Sequence, residues 1–236
     1  LKASKSHPAS WIGTASDLFI GGASYHNIVD NLDIDTLRIS TVQRYVANFT
    51  PQPRFEVDEH TAALYQFDET SGTVFHDEGC SGLNGAAPQG SWTGSCVAPP
   101  EAADGTCGAR EFADNDHLVL NGSGLATTST PHNFTIEAWF RRSETQANKA
   151  PLFCSRGAMN GVVSYNDRCL YIHNDKLELL VYEAGSSANA IANHAVSYQM
   201  GSADGGWHHA AGSYDGTTLR LFLDGQEVDT KAGSFS

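Results

Sequence analysis

The chain has 236 residues, with 14 Lys and Arg against 27 Asp and Glu, a formal charge of −13. That length accommodates one large β domain or two small ones with a real core. The charge speaks against sequence-independent binding to nucleic acid or to an anionic membrane, both of which need basic patches. No apolar run approaches the roughly 20 residues of a membrane-spanning helix, and 23 Gly with plentiful aromatics favour turns and strands over long helices. The sequence opens without Met or a secretory leader, so it reads as a processed form or a fragment.

In chain order, the first informative stretch is NLDIDT at 31–36. On a strand, Asn31, Asp33 and Asp35 share one face, and carboxylates so spaced can serve glycoside hydrolysis. RYVANFTPQPRFEVDEHTAALYQFDE follows, and its P-Q-P reads as a short linker from one domain's end to the next one's start. Cys80, Cys96 and Cys107 then fall in one Gly/Pro/Ser-rich irregular segment, where at most one pair can form. FTIEAWF at 134–140 alternates with period two: Phe134, Ile136, Ala138 and Phe140 face one way, Thr135, Glu137 and Trp139 the other. Cys154 and Cys169 flank GAMNG and are placed to face each other across adjacent strands.

LELLVYE at 177–183 puts Leu177, Leu179 and Val181 on one face, with Leu180 and Tyr182 opposite. Adjacent His208 and His209 on a strand send their rings to opposite faces, which predicts one core and one surface imidazole and no shared metal. SYDGTTL and LRLFLDG each carry a D-G pair, a hairpin signal, and Leu219, Leu221 and Leu223 form one face. Trp139, Trp207 and Phe222 read as core residues. Strands bounded by Gly, Asn and Asp at regular spacing, with no capped helical period, predict an all-β antiparallel sandwich or jelly roll.

The cysteines include no C-x-x-C pair, which argues against a zinc site, and their placement in loops predicts an oxidising compartment. N-x-[ST] triplets at Asn48, Asn121 and Asn133 are candidate glycosylation sites. An extracellular or cell-surface location is expected.

FTIEAWF followed by GGWHHAAGSYDGTTLRLFLDGQEV resembles the laminin-G-like, concanavalin A-like jelly-roll family. ALYQFDETSGTVFHDEGCSGLNG resembles its opening strand and the loop after it, REFADNDHLVL its second strand, and DLFIGGASYHNIVDNLDIDTLRIS its closing strands. The resemblance implies an antiparallel sandwich with the closing strands at the N-terminus. Residues 1–56 would carry the closing strands and a linker, and 57–236 the opening and middle strands, together one domain's worth of sequence in rotated phase. Thr36 stands where the family's closing strand usually has Glu, and the cysteine-rich insertion at 80–107 exceeds the ordinary loop. Three arrangements produce this phase: one frame of a tandem array, a permuted domain completed by its own N-terminal strands, or strands donated to the next protomer. The first and third predict copies of the chain joined head to tail.

Laminarinase-like enzymes of the same superfamily carry E-x-D-x-x-E or E-x-D-x-E on the strand that NLDIDT matches. Here the outer positions hold Asn31 and Thr36, or Asp35 if no residue is inserted, so the resemblance implies a non-catalytic member. No G-x-S-x-G, H-E-x-x-H or P-loop occurs. Calcium is the expected ligand, held by Asp35, Asp68 and Asp77 once the sandwich closes, with Asp114 and Asp116 as a second candidate pair. Tyr214 and Trp92 are candidate sugar-stacking platforms. The expected function is a non-catalytic extracellular structural or adhesive module; a carbohydrate-binding module is the alternative, and a glycoside hydrolase the third reading.

Overall fold

The alternation in FTIEAWF becomes a strand buried on both sides. Phe134, Ile136, Ala138 and Phe140 enter the main apolar core, while Thr135 and Glu137 are equally buried on the opposite face. The structure, a computed structural model, describes residues 17–21, 32–69, 72–86, 109–112, 117–121, 133–144, 149–159, 162–181 and 194–233. The strands among them are β1 (Asp17–Ile20), β2 (Leu32–Ser40), β3 (Thr61–Tyr65), β4 (Val74–Phe75), β5 (Gly85–Ala86), β6 (Arg110–Phe112), β7 (Leu118–Asn121) and β8 (Phe134–Arg142). They continue with β9 (Ala150–Met159), β10 (Val162–His173), β11 (Lys176–Val181), β12 (Ala195–Gln199), β13 (Trp207–Tyr214), β14 (Thr218–Leu223) and β15 (Gln226–Ala232). None of the described residues is helical.

Two antiparallel sheets result. One has eight strands in the order β12-β11-β10-β9-β1-β7-β5-β4; the other has seven, in the order β15-β14-β13-β8-β2-β3 with β6 paired to β2. Between them lie Leu32, Ile34, Leu37 and Ile39 of β2 and Leu219 and Leu221 of β14 from the seven-stranded sheet, packed against Leu18 and Ile20 of β1, Phe153, Leu170 and Leu179 from the eight-stranded one. Each such side chain contributes about 1.5–3 kcal/mol by leaving water. The closing-strand segments are therefore interior: β1 pairs with both β7 and β9, and β2 with both β8 and β3, so this chain's own N-terminal strands complete both of its sheets.

The hairpins follow the turn chemistry. Asp224 and Gly225 adopt φ of 51° and 76°, and Asn174 and Asp175 adopt 51° and 56°, the positive pairs that a two-residue turn between twisted strands requires. Gly225 is also sterically obligatory, because a Cβ there would lie 2.0 Å from the Phe49 carbonyl oxygen.

The edges at β15 and β3 are capped. The Asp229 carboxylate of β15 accepts the Ser197 amide of β12 at 2.8 Å, tying the two sheets together at one side. A bulge between Leu221 and Phe222 distorts the β14–β15 ladder there, a device that discourages pairing with other chains. On the other side, residues 77–83 lie along β3: Asp77 Oδ1 accepts the Leu64 amide at 2.9 Å, and the Glu78 and Ser81 amides donate to Leu64 O and Ala62 O.

Residues 41–60, which hold the P-Q-P stretch expected to be a linker, form a strap. They leave β2, cross the outer face of the seven-stranded sheet and return to β3. Arg44 and Asp58 close the base of the strap with two hydrogen bonds of 2.8 and 2.7 Å. Thr135 Oγ1 accepts the Arg44 amide at 2.9 Å and donates to Val42 O at 2.9 Å; Trp139 Nε1 donates to Gln52 O at 2.8 Å. The Phe49 amide donates to Gly225 O at 2.8 Å.

Candidate functional site

The outer face of the seven-stranded sheet carries the most unusual chemistry in the molecule. Register sets the rows: Arg38 of β2 lies opposite Glu137 of β8, Thr36 opposite Trp139, and Trp139 opposite His209 of β13. Under the strap, Glu137 is fully buried, as is His209, and Arg38 is nearly so. Arg38 Nε and Nη2 both reach Glu137 Oε1 at 2.8 Å. Tyr45 OH donates to Glu137 Oε2 at 2.7 Å, and His209 Nε2 lies 3.2 Å from the same oxygen. Aromatic rings wall the cluster: Phe49, Phe55 and Trp139 surround His209 with centroids 5.6, 5.7 and 5.4 Å away. Phe55 also lies beneath the Arg38 guanidinium at 4.6 Å.

Burial alone would raise the Glu137 carboxyl strongly, but the hydrogen bond from His209, the charge of Arg38 and the Tyr45 hydroxyl outweigh it and hold it below its ordinary value. Burial, reinforced by the Glu137 charge, pushes the Tyr45 phenol up, so it remains a donor. Such a cluster is satisfied only as a unit, because removing one member leaves another charge buried without its partner. Both carboxylate oxygens of Glu137 are committed, and the roof of Phe49 and Phe55 lies over them. The arrangement organises the strap and presents no accessible acid–base pair.

At the open end of the same face, β2 resolves the ambiguity left by NLDIDT. A bulge between Ile34 and Thr36 makes Asp35 the inserted residue and places Thr36 opposite Trp139. The outer position of the hydrolase-like pattern is therefore Thr36, and Asn31 lies outside the described residues. Asp33 lies on the row of Arg141, whose Nε and Nη2 reach Asp33 Oδ2 at 2.8 and 2.5 Å. Burial, with the Glu111 charge, raises the Asp33 carboxyl above its ordinary value against the hydrogen bond and charge of Arg141.

Asp35, Asp68 and Asp77 are not gathered into one ligand set: among the described residues no group of three or more His, Cys, Asp or Glu side chains could hold a metal ion. Asp77 spends its oxygens as an edge plug, Oδ1 accepting the Leu64 and Gly79 amides and Oδ2 the Ser81 hydroxyl and Leu83 amide, at 2.6–2.9 Å. Asp68 pairs with Arg54 at 2.6 Å. Tyr214 is no sugar platform; opposite Phe134 and Leu219 in register, it points into the sandwich core and is fully buried. Trp139 and Trp207 are only partly buried on the outer face, and Phe222 is buried there beneath Tyr45 and Phe49, so none of the three belongs to the main core.

The Cys154–Cys169 disulfide is formed between directly paired residues of β9 and β10. Cys80 is bonded to no cysteine among the described residues. Trp92, Cys96, Cys107, Asp114 and Asp116 lie outside those residues, as does the side chain of Asn121. Asn133 is exposed at the start of β8, while Asn48 clamps the strap to the last hairpin through Gln226 and the Glu227 amide. The predicted split of the histidines holds, with His209 buried and His208 partly exposed.

The Glu137 cluster escaped the sequence reading because its members come from residues 38, 44–45, 137 and 209, and their meeting depends on the strap. One signal was present: a Glu at the centre of a strand, between Thr and Trp and opposite a run of large apolar residues, with no other charge on its face within FTIEAWF.

A family model of laminin G-like domains, described as the concanavalin A-like lectin/glucanases superfamily, matches residues 112–236. Neither the curated proteins nor the solved structures contain a match. The match begins at the last residue of β6 and runs through the hairpins of the seven-stranded sheet, and the two antiparallel sheets described above have the architecture that it requires. The chain belongs to the concanavalin A-like lectin/glucanases superfamily.

Proposed function

We propose that this chain is a non-catalytic extracellular module that works as a structural or adhesive building block. The observation that carries this reading is the bulged strand β2, which sets Thr36 where a hydrolase of this superfamily would carry Glu and pairs Asp33 with Arg141. The one fully buried carboxylate of that face, Glu137, is neutralised beneath the strap. The disulfide supports an oxidising, extracellular setting. The sealed edges at β3 and β15 favour assembly through covalently linked copies over strand pairing between subunits. Repetition in such an array multiplies weak contacts.

Three measurements test this. Light scattering on the isolated chain should give a monomer; a concentration-dependent polymer would favour strand donation instead. Tryptic digestion of native material should release a peptide running from Ala232–Ser236 into Leu1–Lys2 if copies are joined in this phase, and a free Ser236 end would overturn the tandem reading. Calcium, if part of the module, requires ligands other than Asp77, whose oxygens are committed; unchanged melting with calcium and with a chelator removes it from the proposal.

A carbohydrate-binding module is the second reading, favoured by one feature. Beyond the strap, Trp207 is partly exposed, with the Arg141 guanidinium 5.3 Å from its ring and Asp33 alongside, an aromatic surface next to hydrogen-bonding charges. Calorimetric titration with soluble glycans, against Trp207→Ala, distinguishes the two readings.

A further inference from the structure

The β12–β13 connection, residues 200–206, links the edge of the eight-stranded sheet to the interior of the other. One end is fixed where Arg142 Nη2 donates to Gly201 O at 2.9 Å and the Met200 amide donates to Asp175 O at 2.9 Å. The other end turns at Asp204, whose Oδ1 accepts the Gly206 amide at 2.8 Å, and there the loop meets His208. His208 Nδ1 lies 2.8 Å from Asp224 Oδ2, and His208 Nε2 lies 3.2 Å from Asp204 Oδ1.

A neutral imidazole has one N–H. It can satisfy one of these carboxylates, and its other nitrogen then points a lone pair at carboxylate oxygen. Only the imidazolium donates to both. Asp224 extends the connection, since its Oδ1 accepts the His209 amide at 2.8 Å and the next residue, Gly225, accepts the Phe49 amide of the strap at 2.8 Å. One ring thus joins the inter-sheet loop, the last hairpin turn and, through that turn, the strap.

We propose that His208 is a proton-operated latch that ties the β12–β13 loop to the β14–β15 turn: shut while the imidazole is protonated, and released on the Asp204 side when it is neutral. The groups facing it agree with this polarity. Asp204 comes from the loop and Asp224 from the turn. Across β8 lies the Phe140 ring at 5.9 Å, and Arg142, two residues along the same face, is committed to Asp175 and Gly201. The hydrogen bond to Asp224 raises the His208 imidazole above its ordinary value against the opposing effect of burial, with the Asp224 charge and Asp204 adding to the rise. Because folding raises this value, the latch contributes fully below the ordinary imidazole value of about 6.5 and is lost as pH rises through the folded one.

The test is NMR titration of the His208 ring together with amide exchange of residues 201–206, corrected for intrinsic rates, in the whole chain. The ring should titrate above the ordinary imidazole value, and loop protection should fall up to about fivefold across that midpoint, the scale of an exposed ion pair. Asp204→Asn, at an exposed position that keeps an acceptor for the Gly206 amide, should lower the midpoint and flatten the pH dependence of protection. His208→Gln should abolish that dependence with the fold intact. A wild-type midpoint at or below the ordinary value, or an Asp204→Asn midpoint equal to the wild type, overturns the proposal.

Discussion

The seven-stranded sheet is dry on its inner face and, beneath the strap, on its outer face, for opposite reasons. Its inner face is sealed by apolar side chains that meet the facing sheet, and the contribution of Ile136 or Leu221 needs no partner beyond neighbouring carbon. Its outer face is sealed by a strap from the same chain, and beneath it lie a carboxylate, a guanidinium and an imidazole whose burial is tolerable only because they satisfy one another. The inner face can lose a methylene and settle. The outer face is all or none, so the most severe single lesions in this protein should lie on the side that looks polar in the sequence.

Glu137→Ala is the strongest way to break that contrast. It leaves Arg38 buried without its carboxylate, and a loss of about 3–5 kcal/mol is expected in denaturant unfolding. Ile136→Val, the adjacent residue facing the core, should cost about 0.5–1.5 kcal/mol. Equal costs would mean that water reaches Arg38 beneath the strap. The same carboxylate gives an acid signature. Folding holds Glu137 below its ordinary value, so the unfolded chain takes up that proton first as pH falls. Its contribution is therefore complete above about pH 4.5 and is lost as pH falls through the folded value. Glu137→Gln should shallow the acid limb of a stability–pH curve.

The eight-stranded sheet sharpens the comparison, because its outer face is stapled covalently. Cys154 and Cys169, 15 residues apart in sequence, sit with Tyr171 and Leu180 in a small cluster separate from the main core. Replacing both cysteines by Ser should cost about 3 kcal/mol in the loop-entropy account, read by the same unfolding assay. Asp77→Ala should cost less, about 1–3 kcal/mol. It leaves the Leu64 amide on the β3 edge without its acceptor, and calcium should not restore the loss.

What the sequence disclosed follows from where the information is local. Period-two alternation and the D-G turns identified β8, β11 and β14 and the inner faces of all three. The Cys154–Cys169 pairing was also legible, because the two residues flank one hairpin. The strap was not. A P-Q-P stretch reads as a linker because proline cannot extend a sheet ladder, yet the prolines here carry an irregular path that aims Phe49 and Phe55 at His209. Tyr214 failed for a related reason: beside a D-G turn it resembles an exposed loop aromatic, and only the register with Phe134 and Leu219 shows that it faces inward. The edge role of Asp77 was not legible, because a loop carboxylate suits a cation and a strand edge equally well, and spacing alone does not say which arrives.

The smallest expected effect is the most discriminating. Asn48 donates through Nδ2 to Gln226 Oε1 at 2.8 Å and accepts the Glu227 amide at 2.9 Å, clamping the exposed part of the strap to the last hairpin. Asn48→Ala should cost only about 0.5–1.5 kcal/mol, the scale of a net hydrogen bond. Its value lies in where the loss appears. If the strap is a cover added to a sheet already complete, the Phe49 amide, bonded to Gly225, should exchange faster while the amides of β8 keep their wild-type protection. If the β8 amides accelerate by the same factor, strap and sheet open together. The ionic cluster would then be part of the cooperative unit that the apolar core defines, and both faces of the sheet would be lost in one step.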